Sequence, residues 1–275
     1  MRLFLSLIMG LALTLDASAA EDSIVVASTT STENSGLFDY LLPRFTEDTG
    51  IQVKVVAVGT GQAIRLAENG DADVLFVHHP ESEKKFVIQG FGVERHRVMH
   101  NDFIIVGPAN DPAKIRGRGQ GRAGEALVAI ARAGAPFASR GDDSGTHKKE
   151  LGLWKAAGVD PTVASGTWYR ETGSGMGATL NVASGMEAYA LTDRATWLKF
   201  GNKGNLELLV EGDPDLFNPY GVILVNPKRY DHVKAEAGQA FIDWLVSEKA
   251  QTLIAGYRIE GQPAFFPDAL PGLKD

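Results

Sequence analysis

The stretch Ser23–Thr32, SIVVASTTST, places a short run of β-branched residues directly before a cluster of hydroxyl residues. β-Branched residues favour strands, and small polar residues after a strand are typical of a turn into a helix. An apolar stripe at helical spacing follows within Gly36–Asp48. The same order returns at Ile51–Val58, a second strand that ends in Gly59-Thr60-Gly61 before another helix. This alternation predicts an α/β fold with a mostly parallel sheet.

The alternation continues through the rest of the chain. Further strands are predicted at Ala72–Val77, Phe103–Pro108, Pro136–Arg140, Gly166–Arg170, Glu207–Val210 and Tyr220–Val225. Further helices are predicted at Gln62–Asn69, Glu125–Ala133, Lys148–Ala157 and Val233–Tyr257, with another opened by the glycine-rich run Gly173–Gly177.

The composition of the 275 residues is that of a globular protein, with 44% hydrophobic and 22% charged residues. The 34 acidic residues outnumber the 27 Lys and Arg, giving a net charge of −7. This balance argues against nucleic acid as a partner, because phosphates are neutralised by clustered Lys and Arg. The sequence has no cysteine, which excludes disulfides, thiolate metal sites, cysteine nucleophiles and a cysteine-linked lipid.

The first twenty residues have the pattern of an export signal. Arg2 precedes the apolar run Leu3–Leu15, and the small-x-small site Ala17-Ser18-Ala19 follows. The apolar run is too short to span a membrane. We therefore expect a signal peptide over residues 1–20, cleaved near Ala19, and a mature protein in the periplasm.

Three clusters of hydroxyl and glycine residues, Ser28–Thr32, Gly59–Gly61 and Ser144–Thr146, each follow a predicted strand and precede a predicted helix. Ligands bind at this edge of open α/β sheets, and helix N-termini there favour anions. Arg140, which leads into the third cluster, supplies a fixed charge with a fork of donors. Together these features predict a pocket for a small tetrahedral oxyanion. Ser and Thr are also common N-caps, so capping alone is the alternative interpretation of each cluster.

Two other pairs of residues suggest different chemistry. Ser144 with His147 suggests an exported hydrolase, but the sequence has no Gly-x-Ser-x-Gly elbow around this serine. His96 and His100 have the spacing of a helical metal pair, but residue 97 is not the Glu that a zinc hydrolase needs. A surface or sheet-packing role is favoured for these histidines. We predict no catalytic residue and no metal-cation ligand.

Six segments together carry a resemblance to a known family. They are Ala27–Leu37, Val58–Ala63, Asp71–Val74, His78–Pro80, Ser139–Thr146 and Tyr169–Met176. In these motifs the chain resembles the tungstate-binding TupA family of ABC-transporter solute-binding proteins. The Thr-Thr-Thr-Ser of that family is here Ser28-Thr29-Thr30-Ser31. The Arg-x-x-x-Ser-Gly-Thr loop also resembles phosphate-binding relatives, so phosphate or sulfate is the alternative ligand.

The resemblance implies a two-lobed periplasmic binding protein of type II. Each lobe would be a mostly parallel sheet flanked by helices, and two crossover strands would join the lobes. Lobe one would comprise residues 21–107 and 216–275, and lobe two residues 108–215. The hinge would lie near Phe103–Val106 and Asn218–Tyr220.

The resemblance also implies the ligand, the partners and the binding residues. The ligand would be tungstate or molybdate with no further cofactor, and the partners would be a membrane permease and, through it, an ATPase. The protein itself would be a monomer that is not an enzyme. The family's oxyanion contacts carry over to Thr30, Ser31, Thr60, Arg140, Ser144, Gly145 and Thr146, and Arg170 lies in a further matching motif.

Overall fold

The structure is a computed structural model that describes residues 23–117 and 122–269. The predicted signal peptide lies outside the described residues. Within them the strands are β1 (Ser23–Thr29), β2 (Gln52–Val58), β3 (Val74–Val77), β4 (Gly92–Pro108), β5 (Phe137–Ser139), β6 (Tyr169–Glu171), β7 (Ala190–Asp193), β8 (Leu206–Val210), β9 (Phe217–Val225), β10 (Arg258–Ile259), β11 (Gln262–Pro263) and β12 (Phe266–Pro267). The α-helices there are α1 (Thr30–Asn34), α2 (Leu37–Thr49), α3 (Thr60–Asn69), α4 (Pro80–Ile88), α5 (Ala123–Ala133), α6 (Gly145–Ala156), α7 (Met176–Met186), α8 (Arg194–Lys199), α9 (Ala235–Leu245) and α10 (Glu248–Gly256).

The main sheet has the strand order β12-β4-β9-β3-β1-β2, with β7 and β8 paired to the far part of β4. Strand β1 runs parallel to β2 and β3, as the strand and helix alternation predicts. Strand β9 runs antiparallel to both β3 and β4. A separate pair, β5 and β6, is parallel. None of the described helices is both long enough and apolar enough to cross a membrane.

Strand β4 changes its neighbour part-way along its length. Its pairing with β9 ends where Asp102 lies opposite Phe217, and its pairing with β7 begins where Phe103 lies opposite Asp193. Strand β9 starts at Phe217, so the chain crosses this point twice, in β4 and on its return into β9. This exchange lies beside the predicted hinge segments. The predicted lobe boundaries remain a prediction.

The apolar interior falls into clusters on the two sides of this exchange. One cluster packs α2 and α9 on the main sheet and includes Phe45, Phe76 and Phe241. Another packs α5 and α6 around Phe137 and Trp154. Burying apolar surface stabilises a fold by roughly 25 cal/mol per Å². These clusters therefore fix the strand ends and helix starts from which the site is built.

Several element bounds differ from the sequence prediction. Helices α3 and α6 begin at Thr60 and Gly145, earlier than the predicted starts at Gln62 and Lys148. The prediction began too late because the small residues of the first turns are typical of loops. Strand β4 begins at Gly92, well before the predicted start at Phe103. The prediction missed the first half of the strand because that half is polar and charged. The predicted helix Val233–Tyr257 divides into α9 and α10, since Ser247 caps α10 by accepting the Ala250 N–H over 3.3 Å. The elements α1, α4, β7, α8, β10, β11 and β12 lie outside the predicted strands and helices.

Candidate anion-binding site

The N-termini of helices α3 and α6 meet directly. The backbone N–H of Gly145 donates to Thr60 Oγ1 over 3.0 Å. A Cβ at position 145 would lie 2.7 Å from the same hydroxyl and 3.3 Å from His78 Cε1, so this close approach requires glycine. Helix N-termini carry unpaired N–H groups and the positive end of the helix dipole. Two such ends therefore face one small volume.

The N-termini of α1 and α7 meet in a similar way. Gly175 is the N-cap of α7, and a Cβ added there would lie 4.0 Å from Thr30 Oγ1 at the start of α1. The backbone N–H of Ser174 donates to the carbonyl of Arg140 over 3.2 Å, which ties this end of α7 to the loop before α6. Four helix starts from distant parts of the sequence thus surround the predicted hydroxyl clusters.

Two hydroxyls at this place have no hydrogen-bond partner among the described residues. They are Thr30 Oγ1 and Thr146 Oγ1, both buried. A buried polar group without a partner costs about 1–3 kcal/mol. Unpartnered buried groups are rare in native proteins and require an explanation. A bound oxyanion would supply one, because it would accept hydrogen bonds from two hydroxyls beside helix N-termini.

Arg140 provides a buried positive charge at the same place. Only 3% of its surface is exposed. Its Nη2 and Nε donate to Asp142 Oδ2 over 2.6 and 3.2 Å. Asp142 Oδ1 in turn accepts the Ser144 N–H over 3.2 Å, so the loop that enters α6 is held by its own carboxylate.

His78, at the end of β3, links this cluster to the crossover strand β9. Its Nδ1 lies 2.9 Å from Asn218 Oδ1, and its Nε2 lies 3.2 Å from Ser31 Oγ. The ring stacks on Tyr220 with 4.9 Å between centroids. Burial, aided by the nearby charge of Arg140 and opposed by the hydrogen bond to Asn218, lowers the pKa of His78 to about 4. His78 is therefore neutral at neutral pH and adds no charge to the site.

The structure brings together most of the residues predicted from the sequence. Seven belong to the cluster just described: Thr30, Ser31, Thr60, Arg140, Ser144, Gly145 and Thr146. Arg170 is different, because it lies exposed on β6, and within residues 23–117 and 122–269 its guanidinium has no hydrogen bond or ion pair. The role of each of these residues in binding is still a prediction.

Sequence reasoning did not assign roles to two residues of the cluster, His78 and Asp142. A signal existed for both, since His78 ends a predicted strand and Asp142 lies in the Arg140–Thr146 loop. Their importance depends on contacts with Asn218 and Arg140 that only the folded chain reveals.

The alternative chemistries have less support in the geometry. Ser144 Oγ caps α6 by accepting the His147 N–H over 3.2 Å, while His147 Nδ1 accepts the Asp143 N–H over 3.1 Å. The two side chains are therefore not arranged as a nucleophile and its base. His96 and His100 lie on strand β4, where four residues span about 13 Å. The described residues contain no group of three or more His, Cys, Asp or Glu able to hold a metal ion.

Comparison with known proteins identifies the family. A family model described as a PBP superfamily domain matches residues 15–249. The tungstate-binding protein TupA of Peptoclostridium acidaminophilum is 51% identical over 252 residues, which are 91% of this chain and 87% of that protein. TupA of Campylobacter jejuni is 42% identical over 87% of this chain and 88% of its own length. The chain belongs to the TupA family.

Solved structures agree with the TupA assignment. The tungstate-binding TupA from Desulfovibrio alaskensis G20 is 44% identical with a TM-score of 0.77, covering 90% of this chain and 99% of that one. A structure described as the tungstate ABC transporter from Geobacter sulfurreducens is 50% identical with a TM-score of 0.79, covering 86% and 100%. The predicted membership of the TupA family and the predicted periplasmic-binding-protein fold are confirmed.

Proposed function

We propose that this TupA-family protein is the solute-binding component of an ABC importer and captures tungstate, or molybdate, at the meeting point of α1, α3, α6 and α7. The observation that carries the proposal is the pair of buried, unpartnered hydroxyls, Thr30 Oγ1 and Thr146 Oγ1, beside the buried guanidinium of Arg140. Relatives named for tungstate binding match most of the chain, which supports a metal oxyanion as the ligand.

The donor set suits a small dianion whose oxygens only accept hydrogen bonds. Because the acceptor is an anion, the hydroxyl, backbone N–H and guanidinium donors all make charge-assisted hydrogen bonds of about 1.5–3 kcal/mol each, and Arg140 adds a formal positive charge. Asp142 has both oxygens engaged, by Arg140 and by the Ser144 N–H. The proposed donors are Thr30, Ser31, Thr60, Arg140, Ser144, Gly145 and Thr146, with Arg170 as a further candidate.

The proposed donors come from both proposed lobes. Thr30, Ser31 and Thr60 belong to lobe one, residues 21–107 and 216–275, whereas Arg140 and Ser144–Thr146 belong to lobe two, residues 108–215. An anion held from both sides favours the closed arrangement of the lobes. The protein would act in the periplasm as a monomer, after loss of residues 1–20, and would deliver its anion to a permease and its ATPase.

Isothermal titration calorimetry tests this function. The purified protein is titrated in parallel with tungstate, molybdate, sulfate and phosphate at one pH and ionic strength. We expect tungstate to saturate a single site and to bind more tightly than sulfate or phosphate. Tightest binding of phosphate or sulfate would instead support the alternative ligand. Hydrolysis of an ester that is lost in Ser144→Ala would support an enzyme.

A further inference from the structure

We propose that Asp142 is a positioning residue for the anion site: its carboxylate holds one edge of the Arg140 guanidinium so that the opposite edge faces the bound oxyanion. The proposal rests on the function proposed above and extends it to a residue that does not itself contact the anion. A carboxylate so near a dianion site requires an explanation, because its charge opposes anion binding.

The contacts of Asp142 occupy a defined part of the guanidinium. Both bonds, from Nε and from Nη2, go to the single oxygen Oδ2. A guanidinium carries five N–H donors in a rigid plane. Asp142 uses the edge that contains Nε and leaves the Nη1 edge for a second partner. Nη1 and the second hydrogen of Nη2 form the end of the guanidinium that can still hold an oxyanion by two parallel bonds.

The other oxygen of Asp142 keeps the carboxylate in place. Oδ1 accepts the Ser144 N–H over 3.2 Å, at the residue that caps α6. The side chain of Asp142 is only 17% exposed. Because the carboxylate is bound to the loop and to Arg140 together, the arginine has one preferred orientation before the anion arrives. Such preorganisation reduces the entropy lost on binding.

Arg140 acts on groups that line the proposed cleft. Its charge lowers the pKa of the buried His78 on β3 and opposes the rise in pKa that burial gives to Asp193. The carboxylate of Asp193 is engaged elsewhere, since it accepts the N–H and the hydroxyl of Thr196 over 2.9 and 2.7 Å. Asp142 is therefore the carboxylate that orients Arg140.

Two possible roles of Asp142 predict opposite changes in anion affinity when its charge is removed. If only charge mattered, removing a negative charge beside a dianion would tighten binding. If Asp142 orients Arg140, the same removal weakens binding although the net charge becomes more favourable. The variant Asp142→Asn separates these effects, because its amide keeps an acceptor for the Ser144 N–H but puts an N–H₂ group opposite Arg140.

The matched control is Asp143→Asn, the same change one residue along. Asp143 is 67% exposed and pairs with Lys148 over 3.5 Å. Its φ of 57° is tolerated by asparagine. Calorimetric titration with tungstate, and with sulfate and phosphate in parallel, is expected to show at least about tenfold weaker binding for Asp142→Asn, a difference of about 1.4 kcal/mol. Asp143→Asn should stay within about twofold of the parent.

Repeating the Asp142→Asn substitution in an Arg140→Lys variant shows whether Asp142 acts by orienting Arg140 or by holding the loop before α6. Arg140→Lys keeps the charge, so binding remains measurable, but removes the fork that Asp142 orients. There we expect Asp142→Asn to leave tungstate binding unweakened or to tighten it, because only the effect of its charge remains. An equal loss in both backgrounds, or unweakened binding by Asp142→Asn in the parent background, would overturn the proposal. A parent that binds phosphate and not tungstate would overturn the proposed ligand, and the phosphate titrations would then test Asp142.

Discussion

At the scale of single residues, the proposed site combines the buried guanidinium of Arg140, which is paired with Asp142, with neutral hydroxyl donors. Arg140 is almost fully buried, and Thr146 presents a buried hydroxyl with no partner among the described residues. Every hydrogen bond to a dianion is charge-assisted, but Arg140 alone among the proposed donors of the α1, α3 and α6 starts adds a formal positive charge and can donate two such bonds. The loss of Arg140 should therefore weaken binding more than the loss of any single hydroxyl.

Substitutions at these two positions should rank in a fixed order. Arg140→Ala should weaken tungstate binding by about 10²-fold or more, since two charge-assisted bonds are lost. Arg140→Lys should fall between this variant and the parent, because it keeps the charge without the fork. Thr146→Val removes one neutral donor at nearly constant volume and should weaken binding about tenfold.

Calorimetry measures the tungstate affinity of each variant, with the exposed Thr252→Val as control. Parent-like binding by folded Arg140→Ala would place the site elsewhere.

The sequence predicts some of these residues and not others for a physical reason. Thr60 and Ser144 each lie just after a predicted strand, a position that the order of elements makes apparent. The contact of His78 with Asn218 joins residues 140 positions apart. No local pattern encodes such a contact. Arg170 shows the opposite difficulty, because its motif match gives no sign that its side chain is exposed.

At the scale of elements, helix α6 joins the site to a buried carboxyl group. Its N-terminus carries Gly145 and Thr146, and its middle carries Glu150, which accepts the Tyr169 hydroxyl over 2.7 Å and the Trp154 Nε1–H over 3.3 Å. Burial raises the pKa of Glu150 to about 7 although these hydrogen bonds oppose the rise. The folded protein therefore keeps this carboxyl protonated over a pH range in which the unfolded chain has lost the proton.

The variant Glu150→Gln tests this linkage. Because the pKa of Glu150 is about 7 in the folded protein and 4.5 in the unfolded chain, the parent should lose stability as pH rises from 4.5 to 7. The variant has no proton to lose here. Its unfolding free energy relative to the parent should therefore rise by up to about 3 kcal/mol between pH 4.5 and 8. Urea unfolding at both pH values measures the difference, with the exposed Glu47→Gln as control. A difference independent of pH would contradict the raised pKa.

Element bounds were predictable where apolar periodicity is strong. The β-branched run at the start of the stretch Ser23–Thr32 forms β1, and the predicted helix Gln62–Asn69 ends at Asn69, with Gly70 in the left-handed conformation. The first half of β4 was missed because its partner β9 supplies the pairing that its charged residues do not suggest. The extent of β4 thus depends on its pairing with β9, which lies far away in the sequence.

At the scale of the whole molecule, the hydrogen bond from the Gly145 N–H to Thr60 Oγ1 joins the two proposed lobes. This contact is expected of a closed arrangement. We propose that the lobes rotate at the strand exchange between Asp102 and Phe103, beside the predicted hinge. A dianion that gathers donors from both sides stabilises this arrangement.

Small-angle X-ray scattering should detect the closure. We expect the radius of gyration to fall when tungstate is added, and the scattering of the bound protein to match a profile calculated from this structure. Arg140→Ala, at the same tungstate concentration, should keep the larger radius. A profile that does not change when calorimetry shows saturation would contradict a hinge.

We propose that one oxyanion lies where helices α1, α3, α6 and α7 begin. The most direct measurement is an anomalous difference map from crystals grown with tungstate, collected on both sides of a tungsten absorption edge. We predict a single strong peak within hydrogen-bonding reach of Thr30 Oγ1, Thr146 Oγ1 and the Arg140 guanidinium. A peak elsewhere, or a map without a peak from protein saturated with tungstate, would contradict the site.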